Sequence, residues 1–344
     1  MNRFTRRTVV VAVEDGLRDR LFGRRSWDRL HRCADIRINP AGGALADPRA
    51  AAMLREADVL VSGWGTSTRG RGLRALAPRL GALVHTAGSV RTLVDDAVLA
   101  SGVAVSSQAD NNALPVAEYA LAMILLSGKA VFAAQHAYRT ARTASAASAA
   151  PEASGLPAAR GTYGLRVGII GASRTGRRVC ELLRPFDVEV LLHDPYTSAP
   201  EAARLGARPV ALDELMASCR VVSLHAPLLD ATRGMITAAL LRLLPDGATF
   251  VNTARGALVD QDALVAELAT GRIHAVLDVT DPEVPEPGSP LWTLPNLVLT
   301  PHTAGSAGNE VRRLGDSAVR EIERLAHGEP LAHPVTREYL ARTA

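Results

Sequence analysis

Three ionisable side chains in the second half of the sequence are placed where they could share one site. Arg255, Glu283 and His302 each follow a short apolar run of the kind that forms a buried strand. A guanidinium can bind a carboxylate through two hydrogen bonds and polarise an adjacent carbonyl. A histidine beside a carboxylate can keep a proton at neutral pH and pass it to a reacting oxygen. Singly, His302 could equally be structural, but the set predicts acid–base chemistry on a small anionic carbonyl compound.

A glycine-rich turn, residues 171–176, indicates a second kind of site. Its sequence is Gly-Ala-Ser-Arg-Thr-Gly, and it joins the apolar run 166–170 to a pattern typical of a helix. Such a turn directs backbone N–H groups and the positive end of the helix dipole towards a phosphate. It matches the dinucleotide-binding fingerprint except that Ser173 stands where the second glycine is expected. We therefore predict that this turn binds the pyrophosphate of a dinucleotide.

The acidic residue Asp194 ends the next apolar run, eighteen residues after Gly176. A carboxylate in this position accepts hydrogen bonds from the hydroxyls of an adenosine ribose and repels a 2′-phosphate. It therefore predicts NAD as the cofactor in preference to NADP. The alternative is that Asp194 is a turn residue before Pro195, which its local chemistry would also fit.

Short apolar runs alternate with helical patterns along most of the chain. The predicted strands are residues 8–13, 58–62, 82–86, 103–106, 166–170, 188–193, 220–225, 249–252, 274–279 and 297–300. This alternation is typical of parallel sheets covered by helices on both faces, so the predicted fold class is α/β. Long helices are predicted at 112–136 and 309–327, and the Ala/Ser/Pro-rich residues 142–160 are predicted to form a surface excursion.

Composition narrows the class of protein. Hydrophobic residues make up 47% and charged residues 22% of the 344 residues, which is typical of a globular protein. The net charge is +4, but the arginines are scattered among acids, so we expect neither a nucleic-acid nor a membrane partner. The cysteines Cys33, Cys180 and Cys219 lack metal-ligand spacing. They predict reduced, buried thiols and no metal site. Because no window approaches the length of a transmembrane span, a cytoplasmic location is expected.

Five ordered motifs resemble those of the D-isomer-specific 2-hydroxyacid dehydrogenases. They are residues 112–118, 223–228, 252–256, 277–279 with Glu283, and 300–305. The resemblance implies two doubly wound parallel-sheet domains with the active site in the cleft between them. A flavodoxin-like substrate (catalytic) domain would comprise residues 1–111 and 306–344, and a Rossmann NAD-binding domain would comprise residues 112–305. It also implies a homodimer.

The same resemblance implies hydride transfer between NAD and C2 of a small D-2-hydroxy acid or 2-keto acid. His302 would be the acid/base, Glu283 its partner, and Arg255 the group that holds the substrate. The loop Ala87, Gly88 and Ser89 would bind the substrate carboxylate. Contacts with NAD are expected at Gly171, Ser173, Arg174, Thr175, Gly176, Asp194, His225, Ala226, Pro227, Thr232, Thr253, Ala254, Arg255, Asp278, His302 and Gly305.

Departures from the family pattern leave the substrate open. Val284 follows Glu283 where proline is usual, and the substrate loop lacks the usual aspartate and asparagine. Arg91 and Trp64 could line the substrate side, although Arg91 could equally begin a surface helix. One alternative function is an NAD(H)-sensing corepressor of the same fold without turnover. Another is oxidation of formate or phosphite, although formate enzymes of this type carry glutamine where Glu283 stands.

Overall fold

The computed structural model describes residues 6–142 and 161–342. The chain divides into two compact units. The terminal unit comprises Met1–Ala113 and Ser306–Ala344, and the central unit comprises Leu114–Gly305. The predicted excursion at 142–160 lies, apart from Arg142, outside the described residues.

Regular elements alternate along both units. The strands are β1 (Arg7–Val11), β2 (Ala34–Ile38), β3 (Val59–Ser62), β4 (Ala82–His85), β5 (Ala104–Ser107), β6 (Leu165–Ile170), β7 (Val188–His193), β8 (Ala207–Pro209), β9 (Val221–Leu224), β10 (Thr249–Asn252), β11 (His274–Leu277) and β12 (Leu297–Leu299). The α-helices are α1 (Asp15–Leu21), α2 (Arg24–Cys33), α3 (Ala51–Arg55), α4 (Leu73–Leu76), α5 (Asp96–Ala100), α6 (Ala109–Gly128), α7 (Val131–Ala141), α8 (Arg174–Leu183), α9 (Ala199–Arg204), α10 (Leu212–Ser218), α11 (Ala238–Leu243), α12 (Gln261–Ala269), α13 (Val311–His327) and α14 (Arg337–Arg342).

The terminal unit contains a five-stranded parallel sheet with the order β2-β1-β3-β4-β5. Successive residues of a strand point to opposite faces, and β1 shows this directly. Val9 and Val11 pack in one apolar cluster with Leu314 of α13, whereas Val10 packs in a second cluster with Leu83. Because both faces of the sheet are buried at its inner strands, β1, β3 and β4 appear in the sequence mainly as apolar runs.

The central unit contains a seven-stranded parallel sheet with the order β12-β11-β10-β9-β6-β7-β8. The chain runs outward from β6 through β7 to β8, returns to β9 on the other side of β6, and then runs outward again to β12. Strand β6 is therefore central, and β8 and β12 are the edges among the described strands. The order reverses between β6 and β9, and such a switch point opens a crevice at the carboxyl ends of the strands. These two sheets confirm the predicted α/β class.

Three elements differ from the sequence-based prediction. The helix predicted at 112–136 is two helices, α6 and α7, because Ala130 adopts a left-handed conformation with φ of 53°. Strand β2 was not predicted, because charged residues alternate with apolar ones along it. Strand β8 was not predicted either, since it has three residues and includes Pro209.

Within residues 6–142 and 161–342, no single helix is both long and apolar enough to cross a membrane. Only α6 and α7 taken together reach the required length and composition, and they are bent by 56° relative to each other.

Candidate active and dinucleotide-binding site

The glycine turn lies at the switch point and is tightly packed. Gly171, which follows β6, has a φ of +95°, and a Cβ on it would lie 2.6 Å from the backbone nitrogen of Ala226. A Cβ on Gly176 would lie 2.0 Å from the carbonyl oxygen of Gly171. Both positions therefore require glycine, because any side chain would displace neighbouring backbone.

Ser173 is the N-cap of α8. Its hydroxyl oxygen accepts a hydrogen bond from the backbone N–H of Gly176 at 3.3 Å, as N-cap residues do. The hydroxyl hydrogen remains available for a further acceptor. Arg174 and Thr175 form the first turn of α8, which contains no acidic residue. The positive end of the helix dipole is therefore unopposed by a carboxylate within that turn.

Asp194 connects the glycine turn to the end of β7. One carboxylate oxygen accepts from the N–H of Ala172 at 2.7 Å. The other accepts from the N–H of Tyr196 at 2.8 Å and the hydroxyl of Thr197 at 3.1 Å. Asp194 thus has the turn role considered from the sequence. A carboxylate has about four lone-pair positions, so it can also accept from a ribose, and that contact stays a prediction.

The residues after β9 that were predicted to contact the cofactor lie on the other side of the switch point. His225 is buried, and burial lowers its pKa to about 3, so the ring is neutral and its Nε2 lies 2.9 Å from the hydroxyl of Ser223. Thr232 donates to the carbonyl of Pro227 at 2.6 Å and closes the loop that follows Ala226. The imidazole of His225 supports the strand end from inside the protein, which agrees with a positional rather than a chemical role.

Arg255 is positioned by a buried amide and a close backbone approach. Asn252 donates to the carbonyl of Arg255 at 2.9 Å and accepts from the N–H of Ala254 at 3.0 Å. A Cβ on Gly256 would lie 2.1 Å from the backbone of Thr280, so this position needs glycine as well. Burial lowers the pKa of Arg255 and the charge of Glu283 opposes that shift. The guanidinium stays charged at neutral pH because its ordinary pKa is so high.

His302 and Glu283 form a close pair. The imidazole Nδ1 lies 2.5 Å from a carboxylate oxygen of Glu283, and both side chains are about half exposed, at 46% and 59%. The backbone of His302 is left-handed, with φ of 53°, and its N–H donates to the carbonyl of Asp278 at 2.9 Å. Within the described residues, the Nε2 atom makes no hydrogen bond, so it is the ring nitrogen that can act on a substrate.

The turn that carries His302 is held by the buried carboxylate of Asp278. Asp278 accepts from the N–H of Thr303 at 2.8 Å, the N–H of Ala304 at 2.9 Å and the hydroxyl of Thr300 at 2.6 Å. Gly305 directly follows this turn. The predicted contact of Asp278 with the cofactor stays a prediction, but its anchoring of this turn is visible in the structure.

Three positioning residues were not among the predicted site residues. Asn252 and Thr300 lie in motifs that were recognised, yet their side chains were not given roles. Tyr119 lies on α6, within the helix predicted at 112–136. Its hydroxyl lies 2.8 Å from that of Thr300, and burial raises the pKa of Tyr119, so it remains protonated. A tyrosine among the apolar residues of this helix was the signal available in the sequence.

The predicted substrate loop belongs to the terminal unit and follows β4. Ala87 is buried, and its carbonyl accepts a hydrogen bond from the N–H of Gln108 at 2.9 Å. Gly88 and Ser89 follow it in the chain. The preceding His85 is also buried, and burial lowers its pKa to about 4. Its Nδ1 lies 2.9 Å from the hydroxyl of Ser62. A neutral imidazole thus anchors the start of the loop.

Arg91 and Trp64, which were also considered as residues lining the substrate side of the cleft, differ in their surroundings. Arg91 donates to the backbone carbonyl of Leu340 in α14, so part of its hydrogen-bonding capacity holds that helix. Trp64 is 40% exposed. Neither observation assigns a substrate contact.

The central unit fits a bound dinucleotide. The turn between Gly171 and Gly176 is packed closely against neighbouring backbone and leads directly into the N-terminus of α8, where backbone N–H groups can bind a phosphate. The hydroxyl of Thr253, at a predicted cofactor contact, is buried without a hydrogen-bond partner among the described residues. Buried polar groups normally have a partner, so this hydroxyl can bond to a ligand or a water molecule.

Comparison with known proteins decides the family. The family model described as D-isomer specific 2-hydroxyacid dehydrogenase, NAD binding domain, matches residues 121–304. The chain belongs to the D-isomer-specific 2-hydroxyacid dehydrogenase family. All predicted catalytic residues lie within this match, and the predicted family is confirmed.

Relatives of the chain within the 2-hydroxyacid dehydrogenase family are named for different substrates. The chain is 31% identical over 279 residues to D-3-phosphoglycerate dehydrogenase of Mycobacterium tuberculosis, which covers 81% of this chain and 51% of that protein. It is 35% identical over 176 residues to glyoxylate reductase of Aeropyrum pernix, covering 51% of this chain and 52% of that protein. The chain thus spans about half the length of the curated relatives it matches.

A solved structure of D-mandelate dehydrogenase from Rhodotorula graminis has the same fold. It superposes with a TM-score of 0.79 over 96% of this chain and 98% of that chain, at 21% identity. At this identity the likeness shows the fold alone. Together with the family match, it confirms the two-sheet α/β architecture and places an NAD-binding domain in the central unit.

A separate cavity of about 230 Å³ lies at the opposite, amino-terminal ends of the central strands. It is lined by residues such as His136, Arg139, Arg220 and His274. None of the predicted site residues lines it, so it does not bear on the dehydrogenase site. Among the described residues, no group of three or more His, Cys, Asp or Glu side chains could hold a metal ion.

Proposed function

We propose that the chain is an NAD-dependent oxidoreductase that transfers a hydride between the nicotinamide and C2 of a small D-2-hydroxy acid or 2-keto acid. The observation that carries this proposal is the pair of His302 and Glu283, 2.5 Å apart, in a unit whose family match is an NAD-binding domain. In this proposal residues 112–305 bind the cofactor, and residues 1–111 with 306–344 bind the substrate.

NAD, when bound, supplies or accepts the hydride. The role of His302 follows from the other half of the reaction, because a ketone that gains a hydride develops negative charge on its oxygen and needs a proton. With Nδ1 held against Glu283, the ring is oriented so that Nε2 can donate a proton to that oxygen. In the oxidative direction the neutral ring accepts the same proton.

Arg255 supplies the fixed positive charge. Its guanidinium is half-buried, stays charged and belongs to a turn held by Asn252, so it need not reorganise during the reaction. A bidentate contact would hold the substrate carboxylate while a further N–H polarises the C2 oxygen. We assign Ala87, Gly88 and Ser89 to the same carboxylate, through backbone N–H groups of the substrate loop.

The experiment that tests the proposal is NADH oxidation with a panel of 2-keto acids, repeated with NADPH. The panel should include phosphohydroxypyruvate and glyoxylate, because relatives are named for phosphoglycerate and glyoxylate. Turnover of at least one acid, lost in His302→Asn, supports the proposal. Tight NADH binding without turnover of any acid would instead favour the sensing function, and turnover of formate or phosphite alone would favour the second alternative.

We also propose that the chain forms a homodimer through α7 of the central unit. This helix exposes apolar side chains, with Val131 38% and Tyr138 53% exposed. Exposed apolar groups on one helix favour association, since burial removes them from water. Light scattering should show a dimer that Val131→Glu weakens. Leu243→Glu, at a residue of the same unit that is 41% exposed, is the matched control.

A cytoplasmic location is proposed as well. All three cysteines are free, and burial raises the pKa of Cys180 to about 12 and that of Cys219 to about 11. Unpaired thiols suit a reducing compartment. Cell fractionation tests this, and recovery in a membrane or extracellular fraction would contradict it.

A further inference from the structure

Both backbone polar groups of Ala172, inside the glycine turn, are held by charged side chains. The N–H donates to Asp194 at 2.7 Å, and the carbonyl accepts from Nε of Arg177 at 2.8 Å. The same guanidinium makes an ion pair with Glu201 of α9 at 2.7 Å. The side chains of Arg177 and Glu201 are 37% and 30% exposed, so this pair is partly shielded from water.

The three charged side chains described above carry a net charge of −1. Asp194 and Glu201 contribute two negative charges, and Arg177 contributes one positive charge. Arg174 is a second cation of the turn, at a position assigned to the pyrophosphate. Arg177 therefore lies near Asp194, the acid predicted to bind the ribose, and its guanidinium is of a kind that could bind a phosphate. Two of its N–H groups, however, already donate to Ala172 and Glu201.

An arginine near the ribose is the feature that accommodates the 2′-phosphate in NADP-binding proteins of this fold class. A guanidinium binds phosphate well because it presents several N–H groups in one plane. Holding Arg177 on a protein carboxylate removes that possibility and keeps a second negative charge nearby. Both effects oppose a ligand that carries an additional phosphate group.

We propose that Glu201 is a cofactor-specificity residue, which acts by retaining Arg177 on the glycine turn and so disfavours NADP. This inference rests on the proposed function, and it extends the discrimination already assigned to Asp194. Arg177 in turn is a positioning residue for the turn, because it fixes the direction of the Ala172 carbonyl. The substitution Glu201→Gln should release the guanidinium while retaining the size of the side chain.

The test is titration of the purified full chain with NADH and NADPH, followed by nucleotide fluorescence. In Glu201→Gln, affinity for NADPH relative to NADH should rise on the order of tenfold, since the released guanidinium of Arg177 can then pair with the 2′-phosphate. Glu181→Gln is the matched control, because Glu181 pairs with Arg178 at 3.0 Å on the surface of α8. It should leave the ratio unchanged. Adding Arg177→Leu to Glu201→Gln should abolish the gain.

The outcomes separate this inference from the proposed function. A ratio within twofold of the wild type in Glu201→Gln, with an unchanged melting temperature, would overturn the role of Glu201 alone. An equal rise in Glu181→Gln would also overturn it, because the effect would then be one of overall charge. If the wild type bound neither nucleotide, the proposed function itself would fail. A gain that persists without Arg177 would leave Glu201 acting only through its own charge and would refute the retention mechanism.

Discussion

The imidazole Nδ1 of His302 and a carboxylate oxygen of Glu283 lie 2.5 Å apart, although their residues follow different strands of the central sheet. The turn of His302 follows β12 and is tied by Asp278 to the end of β11. Glu283 leaves the same strand end a few residues later. The pair is therefore set by the register of two neighbouring strands, and its geometry does not depend on one loop alone.

Glu283→Gln should lower kcat/KM for 2-keto acid reduction by about tenfold to hundredfold. Without the carboxylate, Nδ1 of His302 loses the partner that lies 2.5 Å away and orients the ring, so Nε2 is less well placed to donate a proton to the substrate oxygen. Steady-state kinetics measures this, with the exposed Glu286→Gln as the control. An unchanged kcat/KM would show that the pair does not act as an acid–base unit.

Arg255→Ala should reduce kcat/KM for the keto acid by about 10²–10³-fold, because a fixed positive charge is lost where the oxyanion forms. NADH affinity should change little, since the glycine turn is untouched. Keto-acid kinetics and NADH titration should be run together, with Arg242→Ala as an exposed control from the same unit. A collapse of NADH binding would mean that Arg255 serves the cofactor instead.

Ser173→Gly should weaken NADH binding by about threefold to tenfold, the effect of one lost hydrogen bond. The prediction follows from the geometry of the N-cap, in which the hydroxyl oxygen accepts from Gly176 and its hydrogen can donate to a phosphate. Stability should barely change, whereas Ser173→Ala should lose about 1 kcal/mol with the cap. Tighter NADH binding in the glycine variant would show that the Ser173 Cβ hinders the pyrophosphate.

Stability should fall as the pH is lowered from about 6.5, partly through His225. Unfolded His225 takes up a proton near its ordinary pKa of 6.5, whereas burial lowers the folded pKa to about 3. The unfolded state therefore binds more protons in this window, and each such histidine lowers stability by about 1.4 kcal/mol per pH unit. Denaturant titrations should show a shallower pH dependence for His225→Gln. The exposed His136→Gln should retain the wild-type slope, and an equal slope in both variants would contradict the assignment.

Most of the fold could be predicted from the sequence because parallel strands buried on both faces form apolar runs. The exceptions are edge strands, β2 and β8, which each have one neighbour in their sheet. Their hydrogen bonds to that neighbour stabilise them, so they need no apolar run of their own. The break between α6 and α7 depends on the conformation of Ala130, a residue type that carries no signal for a left-handed turn.

The predicted site residues could be proposed because charged groups at successive strand ends are unusual. The sequence could not show which groups hold them. Asp278 was assigned to the cofactor, yet its carboxylate binds Thr300, Thr303 and Ala304. The approach of Arg177 to Ala172 depends on the pitch of α8 and on the position of α9. Such contacts are made by ordinary residue types. Only the three-dimensional arrangement distinguishes these residues from solvent-exposed residues of the same type.

The strand order of the central sheet also determines how long its hydrogen bonds survive. The glycine turn extends from β6, which pairs with β9 and β7, whereas His302 follows β12, which pairs only with β11 among the described strands. Backbone amides of a half-buried edge strand open more often than those of a buried central one. In heavy water, residues 297–299 should thus take up deuterium well before residues 167–170. The acid–base group would then follow the edge strand β12, whose hydrogen bonds open more often, and the glycine turn would follow β6, whose hydrogen bonds persist longer.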